Sequence, residues 1–217
     1  FHKNGKHFFR EKPVFMDVNI DIDALNLRKE SVYYVACPLR YNSVIRYIKE
    51  KIDLSQLISV RCICSSYLPE WRTDIDYREV YSAHKELGGG VSIDLVHEWD
   101  YLTYLLGYPE QVYSCIDKVS DLEIDSDDLA LYVGKYEKWY VELHLDYFGR
   151  KTIRNIQFFT VNDTIEADII NGTVSYLSSG KIIHLQEERD VYQRLELQHF
   201  FSIIDSNCAN DNSVENF

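Results

Sequence analysis

Hydrophobic and polar positions change their period several times along the chain. Residues 6–10 (Lys-His-Phe-Phe-Arg) form a short apolar run stopped by Glu11-Lys12-Pro13, and predict a strand. Residues 17–29 alternate acidic and apolar side chains, with Val18, Ile22 and Leu25 at helical spacing, and predict a helix. Residues 31–37 are a β-branched and aromatic run, hence a buried strand. Strand, helix, strand is the rhythm of a parallel sheet, so this part reads as the tail of a doubly wound domain.

A helix is predicted over 42–51, with Val44, Ile45 and Ile48 on one side, and a strand over 57–67. Residues 69–86 read as a polar, aromatic loop. Gly88-Gly89-Gly90 then opens a single helix running to about Leu106, ended by Gly107 and Pro109. A strand follows over 111–118. From 129 to 188 the pattern becomes successive strands, with turns near 136–138, 149–151, 162–163, 171–172 and 178–180. Asn171-Gly172 between alternating runs signals a type I′ hairpin. These strands predict an antiparallel meander, and the fold class is α+β: a large, mostly antiparallel sheet covered by helices on one face. A helix over 191–204 follows, and residues 212–217 read as the opening of another.

Composition narrows the possibilities. With 46% hydrophobic and 14% aromatic residues among 217, a substantial core is easily buried. Seventeen tyrosines suit strands with one wet face, or a cleft for a polar ligand. A net charge of −12 argues against nucleic acid or an anionic membrane as partner. No apolar run approaches the ~18 residues of a membrane span, and no signal peptide is visible. A soluble, cytoplasmic protein is expected. Five scattered cysteines read as buried free thiols in a reducing compartment, with Cys62 and Cys64 on one strand face. None has partners at metal-ligand spacing, so no metal site is expected. The only methionine is Met16, and the chain opens Phe1-His2-Lys3, so both ends read as cut.

Three segments carry candidate chemistry. The three glycines let the backbone approach a ligand or simply pack a helix tightly on a sheet. On the helix they open, Asp94, His97, Glu98 and Tyr101 fall at i, i+3, i+4 and i+7. Asp94 there either holds the ring of a general base, His97, or belongs to a surface or capping pair. Glu11-Lys12-Pro13 ends a strand, where open α/β sheets place ligand groups, and Lys12 is either a donor there or an exposed strand-end lysine. In the loop, Trp71, Arg72, Arg78 and Tyr81 bring aromatic faces and cations together. Arg40 either anchors substrate or pairs with an acid.

Taken together, the segments Gly5 to Pro13, Arg40-Tyr41-Asn42 and Gly88 to Pro109, in that order, resemble the glucose–fructose oxidoreductase/inositol dehydrogenase (Gfo/Idh/MocA) family. The resemblance implies an NAD(P)-dependent oxidoreductase, moving hydride to or from a hydroxyl-bearing carbon of a sugar or nucleotide-sugar. It implies NAD or NADP as cofactor, beside Glu11, Lys12 and a cis-Pro13. By motif, Lys12 lies between cofactor and substrate, His97 is the acid/base and Asp94 its companion. Arg40, Tyr41, Arg72, Arg78 and Tyr81 are the expected substrate contacts. Residues 1–37 would be the end of a Rossmann-type domain, and 38–217 a domain for substrate binding and homo-oligomerisation through the sheet face. Two departures stand out: the histidine follows the aspartate by three residues where most members have four, and no G-x-G-x-x-G unit is present. As a fragment the chain is expected to be inactive alone. The alternatives are a non-catalytic sugar-binding or oligomerisation domain, and a biliverdin-reductase-like dehydrogenase, which the glycine run fits less well.

Overall fold

The computed structural model describes residues 6–15, 19–188, 190–205 and 208–214. Its helices are α1 (Ser43–Lys51), α2 (Val91–Asp94), α3 (His97–Leu106) and α4 (Val191–Ile204). The first five strands are β1 (Phe8–Arg10), β2 (Tyr33–Val35), β3 (Leu57–Tyr67), β4 (Gln111–Asp117) and β5 (Leu129–Lys135). The others are β6 (Tyr140–Asp146), β7 (Phe148–Thr160), β8 (Thr164–Asp168), β9 (Thr173–Tyr176) and β10 (Lys181–His184). Packing divides the chain into two compact units, Phe1–Asn42 with Glu188–Phe217, and Ser43–Glu187.

In the first unit β1 and β2 pair in parallel, with Phe8 opposite Tyr33 and Arg10 opposite Val35. Phe8 stacks on Tyr33 and Phe9 on Tyr34, with ring centroids 5.0 and 5.3 Å apart, the side-chain pairing that steadies a short ladder. Phe200 of α4 meets Phe9 edge-on and lies tilted against Tyr34. Near the chain end, Ser213 bridges antiparallel to Tyr34, where a helix opening was expected; residues 215–217 lie outside the described set.

The helix expected over 17–29 is absent from residues 19–29, and 17–18 lie outside the described set. A single 3-10 turn, Asp23–Leu25, stands there and ends on a left-handed Asn26 at φ 49°. The cause is local. Asn19-Ile20-Asp21-Ile22-Asp23 alternates with period two, and the Asp21 carboxylate accepts from the N–H groups of Asp23 and Ala24, bonds that compete with helix.

The second unit holds an eight-stranded sheet ordered β10-β9-β8-β7-β3-β6-β5-β4, antiparallel except for β3 beside β6. This is the expected α+β class. The simple meander is not found, because β3 inserts between β6 and β7. On one face Val60, Cys62 and Cys64 of β3 are buried, while Arg61 between them is exposed. Val44, Ile45 and Ile48 of α1 are fully buried, and α3 lays Tyr101 on Cys62 and Trp99 on Tyr132.

The turn expected at 149–151 lies inside β7, and the chain reverses at Tyr147. Asp146, 3% exposed, fixes that crossing: one carboxylate oxygen accepts from Ser65 Oγ and from the N–H groups of Phe148 and Gly149. A Cβ at Gly149 would strike Ser65 Oγ, so glycine permits this close approach. Asn171-Gly172 does turn the chain, but only Gly172 has positive φ (62°), whereas a type I′ turn requires it at both central residues. The Asp168 carboxylate holds the Asn171 N–H in its place.

Candidate functional site

In the first unit the expected site residues gather at one end of the parallel pair. Glu11-Lys12-Pro13 leaves the C-terminal end of β1, and the Lys12–Pro13 peptide is cis. The Arg10 carbonyl accepts from the Ala36 N–H, so the end of β2 lies beside it and leads into the 3-10 helix Pro38–Tyr41. Carboxyl ends of parallel strands are where open α/β sheets place ligands. Arg40 donates to Asn212 Oδ1 at 2.7 Å, and the Tyr41 hydroxyl shares a hydrogen bond with Tyr34. Both therefore brace the unit.

In the second unit the single helix expected over 88–106 is two. α2 ends at Asp94, Leu95 turns away at φ −99° and ψ 24°, and α3 begins at His97. Bonds tighten to the 3-10 type at the junction, Val96 N–H to Ile93 and Glu98 N–H to Leu95. Asp94 and His97 thus flank a break, both half-buried. The Asp94 carboxylate accepts from the Tyr147 hydroxyl at 2.6 Å, and its charge also acts on the Tyr81 phenol. Burial first, and Asp94 second, push both phenols up, so they remain donors.

The next positions of the helix face point to structure. Glu98, fully buried, lies with Oε1 2.7 Å from Arg154 Nε, yet neither its carboxylate oxygens nor that Nε makes an aligned hydrogen bond; the contact is Coulombic. Burial alone would lower the Arg154 guanidinium, but Glu98, Cys64 and Tyr101 outweigh it and raise it. Tyr101 shares a hydrogen bond with Cys62, and burial holds both protonated.

The glycine run serves close packing. A Cβ at Gly89 would strike the Tyr81 and Ser82 carbonyls, and one at Gly90 (φ 131°) the Asp127 carboxylate. The Asp127 carbonyl accepts from the Val91 N–H and its carboxylate from the Ser92 N–H, so an anion at the start of α2 comes from the chain itself.

A recess of about 130 Å³ is lined by Leu68, Trp71, Arg72, Tyr77, Val80, Tyr81 and Ser82; Asp94 and His97 are not among its lining residues. Trp71 meets Tyr147 edge-on and donates to Ser66 Oγ. Arg78 is engaged by Asp76 and Glu123, which leaves Arg72 as the recess cation. A larger depression of about 320 Å³ lies on the open sheet face around Arg61, Asn155 and Asp168, and none of the expected site residues lines it. Among the described residues no cluster of histidine, cysteine or carboxylate side chains is arranged to hold a metal ion. No helix of the described residues is long and apolar enough to cross a membrane.

Sequence reasoning brought Asp94, His97, Arg72 and Tyr81 to this unit and missed Tyr147 and Asp127. A tyrosine at the end of a buried strand needs a polar partner for its hydroxyl, and that was the available signal.

Many solved structures share the fold, three of them as follows. An oxidoreductase from Thermotoga maritima matches with TM-score 0.77 and 16% identity, over 95% of this chain and 63% of its own. UDP-N-acetylglucosamine 3-dehydrogenase from Acidithiobacillus ferrooxidans matches with TM-score 0.74 and 17% identity, over 95% and 64%. The WlbA dehydrogenase from Bordetella pertussis, solved with NADH and UDP-GlcNAcA, matches with TM-score 0.64 and 14% identity, over 88% and 57%. The chain therefore spans less than two thirds of the length of these proteins. No protein-family model matches the sequence, and no curated protein matches it.

Proposed function

We propose that this chain is the substrate-side part of an NAD(P)-dependent oxidoreductase acting on a hydroxyl-bearing carbon of a sugar or nucleotide-sugar. One observation carries the reading: a recess lined by Trp71, Arg72 and Tyr81 is joined through the Trp71–Tyr147 contact to Asp94, which with His97 flanks a helix break. The shared fold with sugar-nucleotide dehydrogenases supports it.

The nicotinamide cofactor, when bound, supplies the hydride acceptor or donor. Glu11, Lys12 and cis-Pro13, at the carboxyl end of β1, fit the edge of such a site by position and chemistry. Lys12 brings a cation to the cofactor's edge, and His97 takes or returns the proton of the reacting hydroxyl. Asp94, held by the Tyr147 hydroxyl, offers a stationary acceptor for a sugar hydroxyl. Trp71 offers a face for a sugar ring, and Arg72 a fork for a carboxylate or phosphate. Arg78, Arg40 and Tyr41 contribute by holding their surroundings.

On the open sheet face Tyr113, Cys115, Leu131 and Val133 are exposed in adjacent ladder positions. This face is proposed as the contact between copies of the chain. Sedimentation of a Leu131→Lys/Val133→Lys variant should show smaller particles than the parent, and equal size would contradict the contact.

Titration of UDP-N-acetylglucosamine into the protein tests the pocket. The Trp71 indole NMR signal should shift on binding, and Arg72→Ala should weaken binding by about tenfold, the loss of one charged hydrogen bond. Binding that leaves Trp71 unmoved would contradict the site.

A further inference from the structure

A second cluster of reactive groups lies in the first unit. Cys208 Sγ sits 3.8 Å from His199 Nδ1, and His199 Nε2 sits 2.8 Å from Asp211 Oδ1. With Nε2–H donated to the carboxylate, Nδ1 keeps its lone pair on the side of the sulfur. The imidazole is held in place on α4: Tyr34 meets it edge-on at 6.3 Å and Tyr41 lies tilted at 5.9 Å. Asp211 precedes Asn212, which is 1% exposed and tied to β2 through the Val35 N–H, the Val35 carbonyl and the Tyr34 hydroxyl. The carboxylate is thereby presented from anchored backbone. Cys208 itself is exposed.

An ion pair that merely fastens α4 to the following segment would explain the His199–Asp211 contact. It does not explain a thiol at the other ring nitrogen. A thiol, an imidazole that can take its proton, and a carboxylate that steadies the resulting cation are the parts of an activated sulfur nucleophile.

We propose that Cys208 is a nucleophilic thiol, with His199 as its base and Asp211 as the orienting carboxylate, and a modification site for hydroperoxides. The Cys208 proton passes to His199 Nδ1 and the thiolate attacks the terminal peroxide oxygen. The S–O bond forms as the O–O bond breaks. Sulfur is oxidised to the sulfenic acid, and the peroxide is reduced to an alcohol or water that carries away the imidazolium proton. The inference stands apart from the oxidoreductase reading and needs neither cofactor nor sugar.

Glutathione added to the sample is the comparison, because Cys115, the other exposed thiol, lies on the face proposed as the contact between copies. Both thiols are followed by mass spectrometry in one sample of the intact protein, first with iodoacetamide near neutral pH, then with hydrogen peroxide. Cys208 should alkylate about tenfold faster than glutathione, the gain from a base at hydrogen-bond reach, and should give sulfenic acid first. His199→Gln should bring the two rates to within about twofold, and the exposed Asp211→Asn should lower the Cys208 rate by about threefold. Equal rates in the parent protein overturn the proposal, a comparison that no variant's folding can affect. Rapid alkylation without sulfenic acid overturns the hydroperoxide assignment.

Discussion

Tyr147 donates its hydroxyl to Asp94 Oδ2 at 2.6 Å, joining the point where the chain crosses from β6 to β7 to the end of α2. The tyrosine is fully buried and the carboxylate half-buried, so this bond sets where Asp94 sits. Tyr147→Phe keeps the ring and its contact with Trp71 but removes the donor. Urea unfolding should show a loss of about 1–2 kcal/mol, the range for a partly exposed hydrogen bond to a charge. An unchanged midpoint would show that Asp94 is held by other means.

The Glu98–Arg154 pair makes a sharper prediction. Glu98 is fully buried, so Arg154→Met leaves a carboxylate without its counter-charge and should cost about 3 kcal/mol. Adding Glu98→Leu should recover most of that loss, because replacing a buried pair by apolar groups is close to neutral. A double variant no more stable than the single one would contradict this account of the core.

Acid sensitivity should arise partly at Asp128. Its carboxylate is buried and accepts from the Val119 N–H at 2.7 Å and Ser120 Oγ at 2.5 Å, with Lys118 Nζ at 3.2 Å. Burial alone would raise this carboxyl, but Ser120, Val119 and Lys118 outweigh it and hold it below the ordinary range. With the folded value under the unfolded one of about 3.9, its contribution is present above that pH and lost as pH falls through the folded value. Asp128→Asn should therefore flatten the fall in unfolding free energy below about pH 4. A slope equal to the parent's would place the sensitivity elsewhere.

How much of this was legible in the sequence depends on range. The bounds of β3 and α4 followed from their own alternation and spacing. The 17–29 helix failed because a period-two acidic pattern was read at helical spacing, where Asp21 caps its own turn. The meander failed because nothing local to β6 or β7 shows that β3 will lie between them. Asp94 and His97 were singled out by spacing, but the break between them was not legible, and Tyr147 reaches Asp94 from the crossing between β6 and β7. Glu98 looked like part of a reactive face because its partner, Arg154, lies on β7.

The most direct test of the central claim is hydride transfer by the full-length gene product, measured as nicotinamide reduction with UDP-sugars and free sugars. The parent should reduce NAD or NADP with at least one of them. His97→Ala should lower kcat by about 100-fold or more while leaving cofactor binding unchanged, the loss expected for a general base. Undiminished transfer by His97→Ala, or no transfer with any sugar, would contradict the account.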